Sequence, residues 1–179
     1  MPFELHPRLA AGTHPIAILN GCHVLLKDNA CFPWFLIVPE VEEGIEDLHQ
    51  LEAARYEEVT SLVRAVSIFV SKHFTPEKLN VACIGNIVRQ MHIHIVGRSE
   101  ADPAWPGTVW ASDAKKTYPP DGIESIRQAA CRFLARPYSK SHSGRVIFEF
   151  LVEAGGLQRV PRACGRCAAP FTGKNGPAP

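Results

Sequence analysis

The chain reads as an α+β fold: an antiparallel sheet of about five strands, with one long helix packed on it and a shorter helix toward the C-terminal end. Three observations predict this. Asn20-Gly21 joins two apolar runs, which is the signature of a tight hairpin. A long stretch over residues 48–74 repeats apolar side chains at helical spacing. Short apolar runs closed by proline, glycine or asparagine stand on both sides of that stretch.

The elements follow in order. Residues 16–19 and 22–26 are the arms of the hairpin; Asn20 and Gly21 both tolerate the positive φ of a type I′ turn. The second arm ends in the polar turn Lys27-Asp28-Asn29. Residues 34–38 form a continuous apolar run closed by Pro39, the pattern of a buried strand. From 48 to 74, Leu48, Leu51, Val59, Leu62, Val63, Val66, Phe69 and Val70 paint one helical face, and Pro76 marks the end. Residues 79–84 and 90–96 are the next two strands, with Gly85-Asn86 as the turn signal between them. Residues 102–107 hold two prolines and must be a loop. Residues 123–134 form the last helix, with Asp121 placed to cap it.

The 179 residues, 46% hydrophobic and 21% charged, suit one domain with a real core. After Arg136 the texture changes, so residues 1–136 are read as the domain and 137–179 as a C-terminal extension. Within it, 146–152 is apolar and adds a strand or helix; the Gly-, Pro- and Ala-rich end is read as disordered. A net charge of +1 provides no general pull toward nucleic acid or membrane. No apolar run is long enough to span a bilayer. Residues 1–13 lack a basic start followed by an apolar run, so the expected setting is a reducing cytoplasm. Cys22 and Cys83 then read as small core residues. Cys164 and Cys167 form a single Cys-x-x-Cys pair, half of a tetrahedral zinc site with no second half beside it.

The chemically informative stretch runs from Gln90 to Val96. As a strand it puts Gln90, His92 and His94 on one face and Met91, Ile93 and Ile95 on the other. Three readings are open. The face is simply polar surface; or His92 and His94 share a metal ion, which needs a third ligand that the spacing does not supply; or one imidazole is a nucleophile. Neutral imidazole attacks phosphorus well near pH 7, and a second imidazole beside it assists the leaving oxygen.

The ordered combination of Pro33-Trp34 before an apolar strand, Lys78-Leu79-Asn80 before Gly85-Asn86, the His92-x-His94 strand, and Asp102-Pro-Ala-Trp-Pro-Gly107 followed by Trp110 resembles the histidine-triad (HIT) superfamily. Within it, the chain resembles the bacterial proteins with a DPAWPG-type loop after the triad. The resemblance spans residues 3–136 and implies the α+β HIT-like fold, with two subunits pairing as a homodimer. It implies a nucleotide hydrolase or nucleotidyl transferase in which His92 attacks the α-phosphate and forms a nucleotidyl-histidine intermediate. His94 then contacts phosphate or leaving-group oxygens, and the first triad position falls on Gln90, an amide that cannot titrate. A further histidine found upstream in many relatives is replaced by Trp34. Asp28 falls where ribose hydroxyls are contacted, and Asn80 and Asn86 near positions that contact ribose and phosphate. Arg98 follows the strand within reach of phosphate. Trp105 and Trp110 read as packing. The implied partner is a small-molecule nucleotide, with no cofactor and no built-in metal, because imidazoles and backbone donors handle the charge. Gln90 and Trp34 in place of histidines motivate a rival, a nucleotide-binding module without turnover. A second rival binds metal through His92 and His94.

Overall fold

The computed structural model describes residues 3–135; the Cys164/Cys167 pair, the apolar run over 146–152 and the rest of the extension lie outside the described residues. A short helix α1 (Pro7–Ala11) leads into β1 (Thr13–Leu19) and β2 (Cys22–Lys27). Then come β3 (Trp34–Pro39), the long helix α2 (Ala53–Phe74), β4 (Lys78–Cys83), β5 (Ile93–Arg98) and helix α3 (Pro120–Leu134). The five strands form one antiparallel sheet in the order β1-β2-β3-β5-β4. Asn20 and Gly21 take φ of 50° and 62°, as a type I′ hairpin turn requires. Arg55 of α2 holds that turn by donating to the Asn20 and Gly21 carbonyls at 2.6 and 2.7 Å.

Strand alternation divides the sheet into two faces. Val24, Leu26, Phe35, Ile37, Ile93 and Ile95 face α2 and α3, which contribute Val59, Val66, Phe69, Ile126 and Ala130 to one continuous core. Leu25, Trp34, Leu36, Val38 and Val96 point the other way. There they meet irregular chain instead of a long helix: Phe3, Leu5 and Leu9 at the N-terminal end, Val88, and Ala104, Val109 and Trp110 from the loop after β5. Registers place His94 beside Leu36 on one side and Ala82 on the other, so His94 belongs to this second face. No helix among the described residues is long and apolar enough to cross a membrane.

Several expectations need correction. The helical pattern over 48–74 conceals a break: Leu48–Gln50 is a separate 3-10 turn, and Leu51 leaves it in an extended conformation. The Gln50 side chain accepts from Glu46 N and Asp47 N and donates to Gly44 O, which closes the turn. Leu48 and Leu51 still pack on the helix-side core, and that is why their spacing mimics a helix. Asp121 does not cap α3; Pro119 is at the N-cap, Pro120 opens the helix, and Asp121 sits in the first turn, near the positive end of the helix dipole. The strand expected over 90–96 begins only at Ile93 and runs on to Arg98. Gln90 and His92 therefore precede the strand, for a reason that belongs to the site.

Candidate functional site

His92 and His94 are 6% and 7% exposed, and their ring centroids stand 4.8 Å apart, edge to face. Each ring has one nitrogen engaged. The Nδ1 of His92 lies 2.7 Å from the carbonyl oxygen of Gln90. A carbonyl only accepts, so Nδ1 donates, and in the neutral ring the lone pair is left on Nε2. This bond folds the chain back over two residues, which explains why pairing with β4 begins only at Ile93, opposite Cys83. For His94 the polarity is opposite. The indole N–H of Trp34 donates to its Nδ1 at 3.0 Å. Indole nitrogen cannot accept, so the His94 proton resides on Nε2. The two imidazoles thus carry complementary tautomers: His92 offers a nucleophilic nitrogen, His94 a hydrogen-bond donor.

The surroundings keep His94 uncharged. Trp34 and Trp110 pack edge-on against its ring at 5.6 and 5.5 Å. Burial drives its pKa down to about 3, with His92 and the Lys27 ammonium adding to the shift. Lys27 ends β2 and follows Leu25 by two positions, which puts it on the same sheet face. It is half-buried, and among the described residues no carboxylate is in ion-pair contact with its ammonium.

The other expected site residues fall into separate groups. Gln90 spends its amide on the N-terminal chain: its Oε1 accepts from His6 N, and its Nε2 donates to Glu4 O, both at 2.9 Å. It reaches His92 through its backbone carbonyl and not through its side chain. Arg98, 3% exposed, is held by Asp102 at 2.8 and 3.1 Å and donates to the side-chain oxygen Oδ1 of Asn80 at 2.8 Å. Burial pushes the Asp102 carboxyl up, but Arg98 and the N–H groups of Ser99 and Ala104 outweigh it and hold it below the usual range. Arg98 and Asn80 thus stand as a braced pair under the loop that follows β5, with the Trp105 ring 5.7 Å from the guanidinium. Asp28 accepts from Tyr118 N at 3.2 Å and lies 3.2 Å from His14 Nε2. The Tyr118 N–H is the main cause of its lowered pKa. Asn86 is exposed, next to Gly85 with its φ of 65°. The structure brings His92, His94 and Trp34 together with the Gln90 carbonyl; Asn80 and Arg98 pair with each other, and Asp28 joins neither group.

Sequence reasoning missed Lys27, the Gln90 clasp on the N-terminal chain, and the contact of Trp110 with His94. The sequence places Lys27 in the polar turn after a strand over 22–26, whereas the strand runs one residue further and ends on Lys27, two positions from Leu25. The other two depend on irregular chain folding over the sheet, which leaves no periodic signal. Among the described residues, no group of three or more His, Cys, Asp or Glu is arranged to hold a metal ion.

Comparison with known proteins adds a family context. The HIT domain family model matches residues 13–101. A solved histidine triad protein from Marinobacter aquaeolei VT8 is 35% identical, with a TM-score of 0.70 over 74% of this chain and 96% of that one. A histidine triad (HIT) protein from Sinorhizobium meliloti 1021 is 30% identical, with a TM-score of 0.70 over 73% of this chain and 96% of its own. A hypothetical histidine triad nucleotide-binding protein from Sulfolobus tokodaii strain7, 14% identical with a TM-score of 0.53, shares the fold. No curated protein matches the chain.

Proposed function

The chain belongs to the HIT domain family, and from that premise we propose that it is a nucleotide hydrolase or nucleotidyl transferase with His92 as nucleophile. The observation that carries the reading is the pair of complementary tautomers at His92 and His94. In the first step the Nε2 lone pair of His92 forms a bond to the α-phosphorus. The bond from phosphorus to the leaving group breaks, and the leaving group keeps its electron pair. His92 is then a nucleotidyl-imidazolium whose Nδ1–H remains on the Gln90 carbonyl. In the second step water, or another acceptor, attacks the same phosphorus. The P–N bond returns its electrons to Nε2, and the acceptor's proton passes to solvent. Splitting one displacement into two is the usual benefit of covalent catalysis.

The remaining residues take supporting parts in this reading. His94 donates from Nε2 to oxygens that gain charge during transfer. Lys27 attracts the phosphate chain, and Asp28 accepts from ribose hydroxyls. Asn86 contacts phosphate from the segment before His92. Asn80 and Arg98 brace the loop after β5, since their side chains are paired with each other and with Asp102. The active form in this reading is a homodimer. It is supported by the outer edge of β4, which pairs with no other described strand and carries Val81, 49% exposed.

The test is turnover. The purified chain and its His92→Ala variant are incubated with adenosine and guanosine polyphosphates, phosphoramidates and nucleotide sugars, and released mononucleotide is read by chromatography. Product from the wild type alone is expected. Absence of product from both, with a thermal shift on nucleotide addition, would replace this reading by that of a binding module without turnover.

A further inference from the structure

Trp34 is not spent on packing alone. Its indole N–H is aimed at the one nitrogen of His94 that could otherwise share the proton, and the residue is 7% exposed. The ring is held by Phe32 at 6.3 Å and Trp110 at 5.9 Å, both edge to face, so its direction is fixed from two sides. The groups that act electrostatically on His94 are His92, the residue but one before it, and Lys27 at the end of β2. Each disfavours a positive charge on the ring, and Nδ1 cannot take a proton while it accepts one from the indole.

We propose that Trp34 is a positioning residue that locks His94 as a neutral Nε2–H donor, so that the leaving group is assisted by a hydrogen bond and receives no proton. This rests on the proposed nucleotidyl transfer and narrows its substrates. When the P–O bond breaks, the leaving oxygen keeps the electron pair and departs as an anion, hydrogen-bonded to His94 Nε2–H. His94 keeps its proton throughout. A phosphate or polyphosphate leaves well on these terms, because its anion is stable near neutral pH. An amine or an alkoxide does not, because either needs a proton as the bond breaks. Lys27, whose charge bears on His94, favours the anionic leaving group further.

The experiment uses the full chain with 15N-labelled histidine and three forms: wild type, Trp34→Phe and Trp34→His. Trp34→Phe keeps an aromatic ring and removes the donor. Trp34→His restores an N–H. Long-range 15N–1H spectra report the His94 tautomer over a pH series, whether or not the chain turns over any substrate. The wild type is expected to show Nε2–H alone from neutral pH down to about pH 4. Trp34→Phe is expected to mix tautomers and titrate at higher pH, and Trp34→His to recover much of the wild-type pattern. An unchanged tautomer and titration in Trp34→Phe would overturn the assignment to Trp34.

The kinetic arm compares nucleotides with polyphosphate, aryloxide, alkoxide and amine leaving groups. Wild-type kcat/KM is expected to fall by about 100-fold or more from polyphosphate to amine. Trp34→Phe is expected to compress that range by about tenfold, because a protonatable His94 can then act as an acid. An amine turned over as readily as a polyphosphate by the wild type would overturn the restriction. Turnover of none of them would overturn the nucleotidyl-transfer reading and the restriction with it, while the spectra would still decide the role of Trp34.

Discussion

The two faces of the sheet are buried by different means. Toward α2 and α3, Ile16, Val24, Phe35, Ile37, Ile93 and Ile95 interlock with apolar helix residues, and stability comes from filled volume. On the opposite face, Trp34, Leu36 and Val96 share the interior with two imidazoles and a guanidinium, all more than nine-tenths buried. Polar groups survive such burial only with partners, and each one here has a partner, which for the two imidazoles also sets the tautomer. Gln90 O fixes the tautomer of His92, Trp34 fixes that of His94, and Asp102 with Asn80 holds the Arg98 guanidinium in place. The helix-side face depends on apolar side chains that fill the space. The other face depends on particular donors and acceptors. Damage to the first should therefore appear as lost stability, and damage to the second as lost chemistry or as a pH effect.

The sharpest break between the faces is expected from a pair of substitutions. His92→Ala should lower turnover by about 10⁴-fold or more, at a stability cost of about 1–3 kcal/mol from the unpaired Gln90 carbonyl. Phe35→Ala, at a fully buried position stacked edge-on to Phe69 at 5.7 Å, should cost about 3–5 kcal/mol of stability. Its kcat per folded molecule should stay near the wild-type value in the cold. Denaturant titration and steady-state kinetics on both variants check the contrast.

Asp102→Ala is an instructive exception, because it lies on the polar face yet should act on stability. It removes the carboxylate from the buried Arg98 guanidinium and leaves the Asn80 side-chain oxygen and the Trp105 ring against it, at an expected cost of about 3–5 kcal/mol. A loss under 1 kcal/mol in chemical denaturation would show that water reaches Arg98 and that the brace is weak.

Acid should also separate the faces. His94 has its folded-state pKa depressed to about 3, below the ordinary histidine value of about 6.5. The unfolded chain therefore binds this proton first as pH falls. The stability owed to a neutral His94 is fully present above about pH 6.5 and is lost progressively down toward pH 3. The loss attributable to this group near pH 4 is on the order of 3 kcal/mol. His94→Gln, which cannot titrate, should flatten stability against pH over this range; an unchanged slope would assign the acid sensitivity elsewhere.

The smallest effect is expected at Gln90. Gln90→Ala removes the clasp on Glu4 and His6 but keeps the backbone carbonyl that orients His92. Stability should drop by about 1–2 kcal/mol, and kcat should stay within about threefold. A fall of about 100-fold in kcat would return the side chain to a direct part in the chemistry.

What the sequence made legible depended on periodicity. The hairpin at Asn20-Gly21, the buried strand β3 and most of α2 all follow from local pattern, because backbone conformation and burial there repeat along the chain. His92 and His94 were legible as a pair for the same reason. The start of β5 was not. Alternation puts Gln90, His92 and His94 in one row, whereas the bond from His92 Nδ1 to Gln90 O bends the backbone before the strand begins. The brace was hidden as well: Arg98 ends β5 and Asp102 lies four residues on in the loop beyond it, where spacing carries no rule, and Asn80 comes from the neighbouring strand. Trp34 looked like the loss of an imidazole. Only the fold reveals that its N–H meets His94.

The central claim is that His92 Nε2 becomes covalently bonded to the nucleotide phosphorus. It is tested most directly by mixing the chain with whichever nucleotide it turns over, quenching with alkali within a single turnover, and locating any nucleotidyl adduct by mass spectrometry. The account predicts an adduct on His92, absent from His92→Ala, and retention of configuration at a chiral α-phosphorus because two displacements occur. Turnover with inversion and no adduct, or an adduct on another residue, would contradict it.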